Sequence, residues 1–114
     1  MKVVLSLVLC VAVSAASTAA ASPLEKQAKE DLVTLYLMSI AADRCAFPMT
    51  AKQADTLEYA SKKLAENLKL RTRENNALYS EADVRFEQQG PSACDRSGDF
   101  AKSFRQILQQ ITGR

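Results

Sequence analysis

The residues best equipped for covalent or metal chemistry in this sequence are its three cysteines, Cys10, Cys45 and Cys94. They are too far apart for a CxxC redox motif, and the chain contains no His. Two cysteines without imidazole supply only half of a tetrahedral zinc shell. The lack of His also removes the commonest general base and the usual partner of a Ser or Thr nucleophile. Two carboxylate pairs, Glu30/Asp31 and Glu81/Asp83, could in principle carry acid–base work. Side chains one or two positions apart diverge on a helix, however, and neither pair sits in an apolar run that would shift its protonation. The three glycines, Gly90, Gly98 and Gly113, are too scattered to cradle a phosphate. No catalytic, cofactor-binding or metal-binding set emerges, and the sequence reads as non-enzymatic.

The start of the chain decides which cysteines matter. Met1-Lys2 is a short positive region, Val3 to Val13 an eleven-residue apolar core, and Ser14 to Ala21 a run of small residues ending Ala19-Ala20-Ala21. That order is a cleavable secretion signal over residues 1–21, cut before Ser22, with residues 22–114 as the exported domain. The Ala/Ser half is too weakly apolar for a good membrane span. Cys10 follows Leu9, where a lipoprotein signal needs a small residue, so Cys10 leaves with the leader. Cys45 and Cys94 remain, and an even count in an oxidising compartment reads as one disulfide. Closing a loop of about 50 residues stabilises by up to roughly 4 kcal/mol on the chain-entropy estimate. Loss of Lys2 leaves 14 basic against 13 acidic side chains, a net charge of +1. That is no footprint for nucleic acid, which asks for clustered positive charge.

The elements that place these residues are helical. Ser22-Pro23-Leu24-Glu25 has a cap, a first-turn proline and an acid three residues after the serine. Leu24, Ala28, Leu32, Val33, Leu35, Tyr36 and Ile40 then share one side, and Leu37 and Met38 make the second half apolar nearly all round. Such a helix belongs at the centre of a bundle. It stops before Cys45-Ala46-Phe47-Pro48, since the residue before proline is pushed out of the helical region. Thr50 and Gln53 form a capping box for the next helix. Its inward arc holds Ala54, Leu57, Ala60, Ser61, Leu64, Ala65 and Leu68, while Lys62, Glu66 and Lys69 face water and Glu58–Lys62 is placed to pair. Lys69, Arg71 and Arg73 are flanked by Glu66 and Glu74 and read as a solvated face. Tyr59 and Leu70 fall close in angle on this polar side and are the first candidates for a contact surface.

Leu78, Ala82 and Phe86 continue the phase of Leu57, Leu64 and Leu68. One helix from Ala51 to Gln89 would be about 58 Å long, too long for this domain, so a break is expected near Asn75-Asn76, although the phase leaves a single long helix open. Gly90-Pro91 ends the segment. After Cys94, Ser97-Gly98-Asp99 starts a last helix with an apolar stripe of Phe100, Phe104, Ile107, Leu108 and Ile111. The expectation is an all-α bundle of three to four helices closed by one disulfide. The charged flanks Asp43-Arg44 and Asp95-Arg96 read as caps and ion pairs.

The leader, Cys45-Ala46-Phe47-Pro48-Met49-Thr50 and Cys94-Asp95-Arg96-Ser97-Gly98-Asp99-Phe100 together resemble small exported helical proteins of alphaproteobacteria that have no assigned function. That resemblance implies a Gram-negative periplasm and carries no activity with it. More remotely, the chain is similar to HdeA-type periplasmic acid-stress chaperones, which are helical, near this mature size and closed by one disulfide of nearly this spacing. The apolar helix before Cys45 is stronger here. The expected function is a non-enzymatic binding protein, periplasmic or secreted, without cofactor or metal, whose partner is an envelope protein or a small apolar ligand. The alternative is an acid-activated chaperone.

Overall fold

The apolar run after Ser22 needs covering on several sides, and the fold supplies a helix on each. The structure is a computed structural model and describes residues 22–112. The expected leader, with Cys10 and the expected cut before Ser22, lies outside the described residues, as do Gly113 and Arg114. The described residues form four α-helices, α1 (Pro23–Cys45), α2 (Ala51–Asn67), α3 (Thr72–Gln88) and α4 (Asp99–Thr112), with a short 3₁₀ turn at Gly90–Ser92 and no strand among them.

Helix α1 begins as its caps dictate, with Ser22 Oγ accepting from the Glu25 amide at 3.0 Å. It buries Leu32, Val33, Leu35, Met38, Ile40 and Ala41, against which α2 and α3 pack. Leu24 departs from the sequence reading: it is 83% exposed. Its position continues the apolar stripe, but no neighbouring helix covers the first turn. Cys45 is the last helical residue, one place later than the proline implied. The reversal falls on Ala46 in the left-handed region (φ 53°), which lets the chain leave the helix before Phe47 and Pro48.

Helix α2 is closed at its start by the reciprocal box, Thr50 Oγ1 accepting from the Gln53 amide and Gln53 Oε1 from the Thr50 amide. Leu57 and Ser61 are buried; Ala54, Ala60, Leu64, Ala65 and Leu68 are half-buried, and Lys62, Glu66 and Lys69 face water. Glu58 and Lys62 form no ion pair among the described residues. The break between α2 and α3 comes at residues 68–71, earlier than Asn75-Asn76. Lys69 takes a left-handed conformation (φ 55°). Its amide donates to the Glu66 carbonyl at 3.0 Å, and the Leu70 amide to the Ala65 carbonyl at 3.4 Å. These two bonds make a Schellman stop, in which the orphan carbonyls of the last turn are satisfied. Asn75 lies inside α3, where its Oδ1 accepts from the Tyr36 hydroxyl and ties α3 to α1.

The core gathers the inward residues of α1 with Phe47, Leu57, Ala82, Phe86, Ala93, Ala101, Phe104 and Leu108. Phe47 lies tilted against Phe104 with centroids 5.1 Å apart, and Phe86 meets Phe100 edge-on at 6.0 Å. Helix α3 crosses α1 rather than running beside it. Glu30 and Arg44 are about 21 Å apart along α1 at about 1.5 Å per residue, yet Glu30 pairs with Arg85 and Arg44 with Asp83 and Glu87, within one stretch of α3.

Candidate functional site

The disulfide expected from the cysteine count is present: Cys45 and Cys94 are bonded, with Cα atoms 4.9 Å apart. Helix α1 delivers Cys45 at its final position, half-buried against the core. Cys94 sits in the turn after the 3₁₀ segment and is exposed. The charges beside the bridge are structural. Arg44 forks to Asp83 and Glu87 and lies 5.2 Å over the Phe86 ring. Asp95 Oδ1 accepts from the Ser97 amide at 3.1 Å and the Ser97 hydroxyl at 3.0 Å, which shapes the turn into α4.

A second fork joins the same two helices, α1 and α3. Arg85 binds both carboxylate oxygens of Glu30 across the helix interface, at 3.1 and 2.9 Å, and also Glu81 on its own helix. The hydrogen bonds from Arg85 and then its charge hold the Glu30 carboxyl below the usual range. Glu30 and Glu81, considered separately as acid–base candidates, thus meet on one guanidinium. No signal in the sequence pairs positions so far apart before α3 is known to cross α1. Among the described residues no group of three or more Cys, Asp or Glu is placed to hold a metal ion. No helix of the described residues is long and apolar enough to cross a membrane.

The two contact-surface candidates are not brought together. Tyr59 is 65% exposed on α2, at the edge of an open groove of roughly 680 Å³ between α1, α2 and α4. Leu35, Ala60, Leu64, Ile107 and Ile111 supply its apolar lining. Leu70 lies past the end of α2, so its helical phase with Tyr59 does not apply. It is half-buried in a different, more polar groove on the other flank of α2, shared with Ala65, Asn75 and Tyr79. A third groove, between α1 and α4, is lined by Leu37, Met38, Phe100 and Phe104 and shares Thr34 and Ile107 with the first. The two grooves thus meet at Thr34 and Ile107 and form one seam along α4, whose lining also includes the polar side chains Asp31, Lys63, Asp99 and Ser103. Ile107 and Ile111, both in the α4 stripe, are half-buried at this groove.

Compared with protein-family models, with curated proteins and with solved structures, the chain matches none.

Proposed function

We propose that this protein is an exported, non-enzymatic binding module that holds an apolar segment of another envelope protein in the seam along α4, with Tyr59 at its edge. One observation carries the reading: a large aromatic side chain stands 65% exposed beside an open groove to which Leu35, Ala60, Leu64, Ile107 and Ile111 bring aliphatic surface among polar residues. Tyrosine is enriched at contact surfaces because its ring gives area while its hydroxyl stays wet. Openness favours a protein segment over an enclosed small ligand, which would usually have most of its surface buried. The disulfide fits an oxidising compartment, and the leader points to the periplasm or the exterior. The test is crosslinking from a photoreactive residue at position 59 in the envelope, compared with one at exposed Lys52. A partner recovered from position 59 and displaced by Ile107→Asp supports the module. Equal recovery from both positions ends it.

A second reading, the acid-activated chaperone, is favoured by a different observation. Every ion pair joining α1 to α3 among the described residues uses a carboxylate that acid neutralises.

A further inference from the structure

We propose that the Cys45–Cys94 bond is a solvent-accessible exchange site, attacked at the Cys94 sulfur by external thiols, and that its reduction frees residues 89–112 while α1 and α3 stay packed. The two halves of the bond are unequally placed. Cys45 ends a helix and packs against the core, whereas Cys94 is exposed in a turn whose one buried residue is Ala93. A thiolate must approach in line behind the sulfur it attacks, and Cys94 is the more exposed of the two residues. Arg105 donates to the Arg96 carbonyl at 3.1 Å at the end of this turn, and the Asp95 carboxylate within it accepts from Ser97.

The exchange balances without a cofactor. The incoming thiolate forms a bond to Cys94 Sγ, the bond between the two cysteines breaks, and the electron pair leaves on Cys45 Sγ, which takes a proton from water. The second thiol of a dithiol reductant then resolves the mixed disulfide and releases Cys94 as a thiolate. The dithiol is oxidised to its disulfide and the protein bond is reduced by two electrons. Exposed disulfides are those more open to such exchange.

The consequence follows from what else holds the last helix. Helices α1 and α3 share the Arg44 and Arg85 forks and the Tyr36–Asn75 hydrogen bond. No ion pair among the described residues joins 89–112 to the rest. That segment is held by Ala93, Ala101, Phe104 and Leu108, the contacts of Phe100 and Phe104 with Phe47 and of Phe100 with Phe86, and the disulfide. Regions with fewer ties open first.

The native oxidised protein is treated with glutathione, quenched with acid, alkylated and mapped by mass spectrometry. The expected product carries glutathione on Cys94 and the alkyl group on Cys45, at least fivefold over the reverse, and forms faster than global unfolding. Hydrogen exchange on the dithiol-reduced, alkylated protein should then show at least tenfold less protection over 89–112, with residues 32–41 and 78–86 within about threefold of the oxidised form. The Cys45→Ala/Cys94→Ala double variant, which carries no alkyl groups, should give the same pattern. Equal labelling of the two cysteines, exchange only at the global unfolding rate, uniform loss of protection, or a double variant that does not fold would each overturn the proposal.

Discussion

The apolar side chain of Leu70 has a local reason in the helix stop. In a Schellman stop the residue after the left-handed position packs back on the last turn, and Leu70 shares its groove with Ala65, the residue whose carbonyl its amide binds. Tyr59 has no such local reason. The two should therefore separate in stability measurements. Tyr59→Ala should change unfolding free energy by no more than about 0.5 kcal/mol, as exposed sites usually do, while weakening recovery of a crosslinked partner. Leu70→Ala should cost about 0.5–1 kcal/mol, the lower part of the usual range for single substitutions, and leave recovery unchanged. A large fall in melting temperature for Tyr59→Ala would place it in the core instead. Glu30 offers a titration at the same scale. Its folded carboxyl is depressed by Arg85, so the stability it contributes is present above the unfolded Glu value and lost as pH falls through the depressed folded value. NMR titration should find its midpoint below that of an ordinary Glu, and Arg85→Gln should move it back up. An unchanged midpoint in Arg85→Gln would remove Arg85 as the cause.

The helices themselves were largely legible, because caps and apolar periodicity are local. Thr50/Gln53 and Ser22 placed two starts to the residue, and the Phe100-to-Ile111 stripe fixed the face of α4. What local pattern could not supply was the stop at Lys69. The left-handed position there is filled by lysine rather than glycine, so the usual punctuation is missing, and Asn75-Asn76 looked like a better break than it is. Leu24 shows the same limit from another side: a stripe marks which face is apolar, not how far the neighbouring helices extend along it. Ala46 and Lys69 both pay a conformational penalty that glycine avoids. Left-handed backbone costs a non-glycine residue about 1–2 kcal/mol, partly offset by the extra unfolded-state freedom of glycine, about 0.5–1 kcal/mol. Ala46→Gly and Lys69→Gly should each raise stability by up to about 1 kcal/mol, or a few degrees in Tm for a domain of this size. Both residues are exposed, so no packing is lost. A fall in Tm for either would mean that its turn is not left-handed in solution.

At the scale of the whole molecule, the disulfide and the charge balance act against each other. The bridge closes a loop of 49 residues, and Cys45→Ser or Cys94→Ser should each cost a few kcal/mol, at or below the loop-entropy figure of roughly 4 kcal/mol. Because both remove one bond, the double variant should cost little more than either single. Acid works on the rest. Residues 22–114 carry 13 carboxylates and 14 basic side chains. At pH 2 most carboxylates are protonated, and the net charge climbs from +1 towards about +14 on unperturbed values. The Arg44 and Arg85 forks lose their partners while both arginines keep their charge, and Glu30 gives up its charge only below the usual Glu range because Arg85 holds its carboxyl low. Self-repulsion then opposes a small core, and α3 is the element most dependent on the lost pairs. Its departure would uncover Val33, Leu78 and Phe86, while the bridge keeps the opened chain from expanding fully. Acid opening alone is common and does not establish a chaperone. The deciding measurement mixes the protein with an aggregation-prone client at pH 2, neutralises, and follows light scattering and recovered client activity. Protection near stoichiometric amounts would favour the chaperone over the neutral-pH binding module, and Arg44→Gln/Arg85→Gln should then shift the onset of protection to higher pH. A protein that stays folded at pH 2, or opens without protecting any client, leaves the seam along α4 as the working surface.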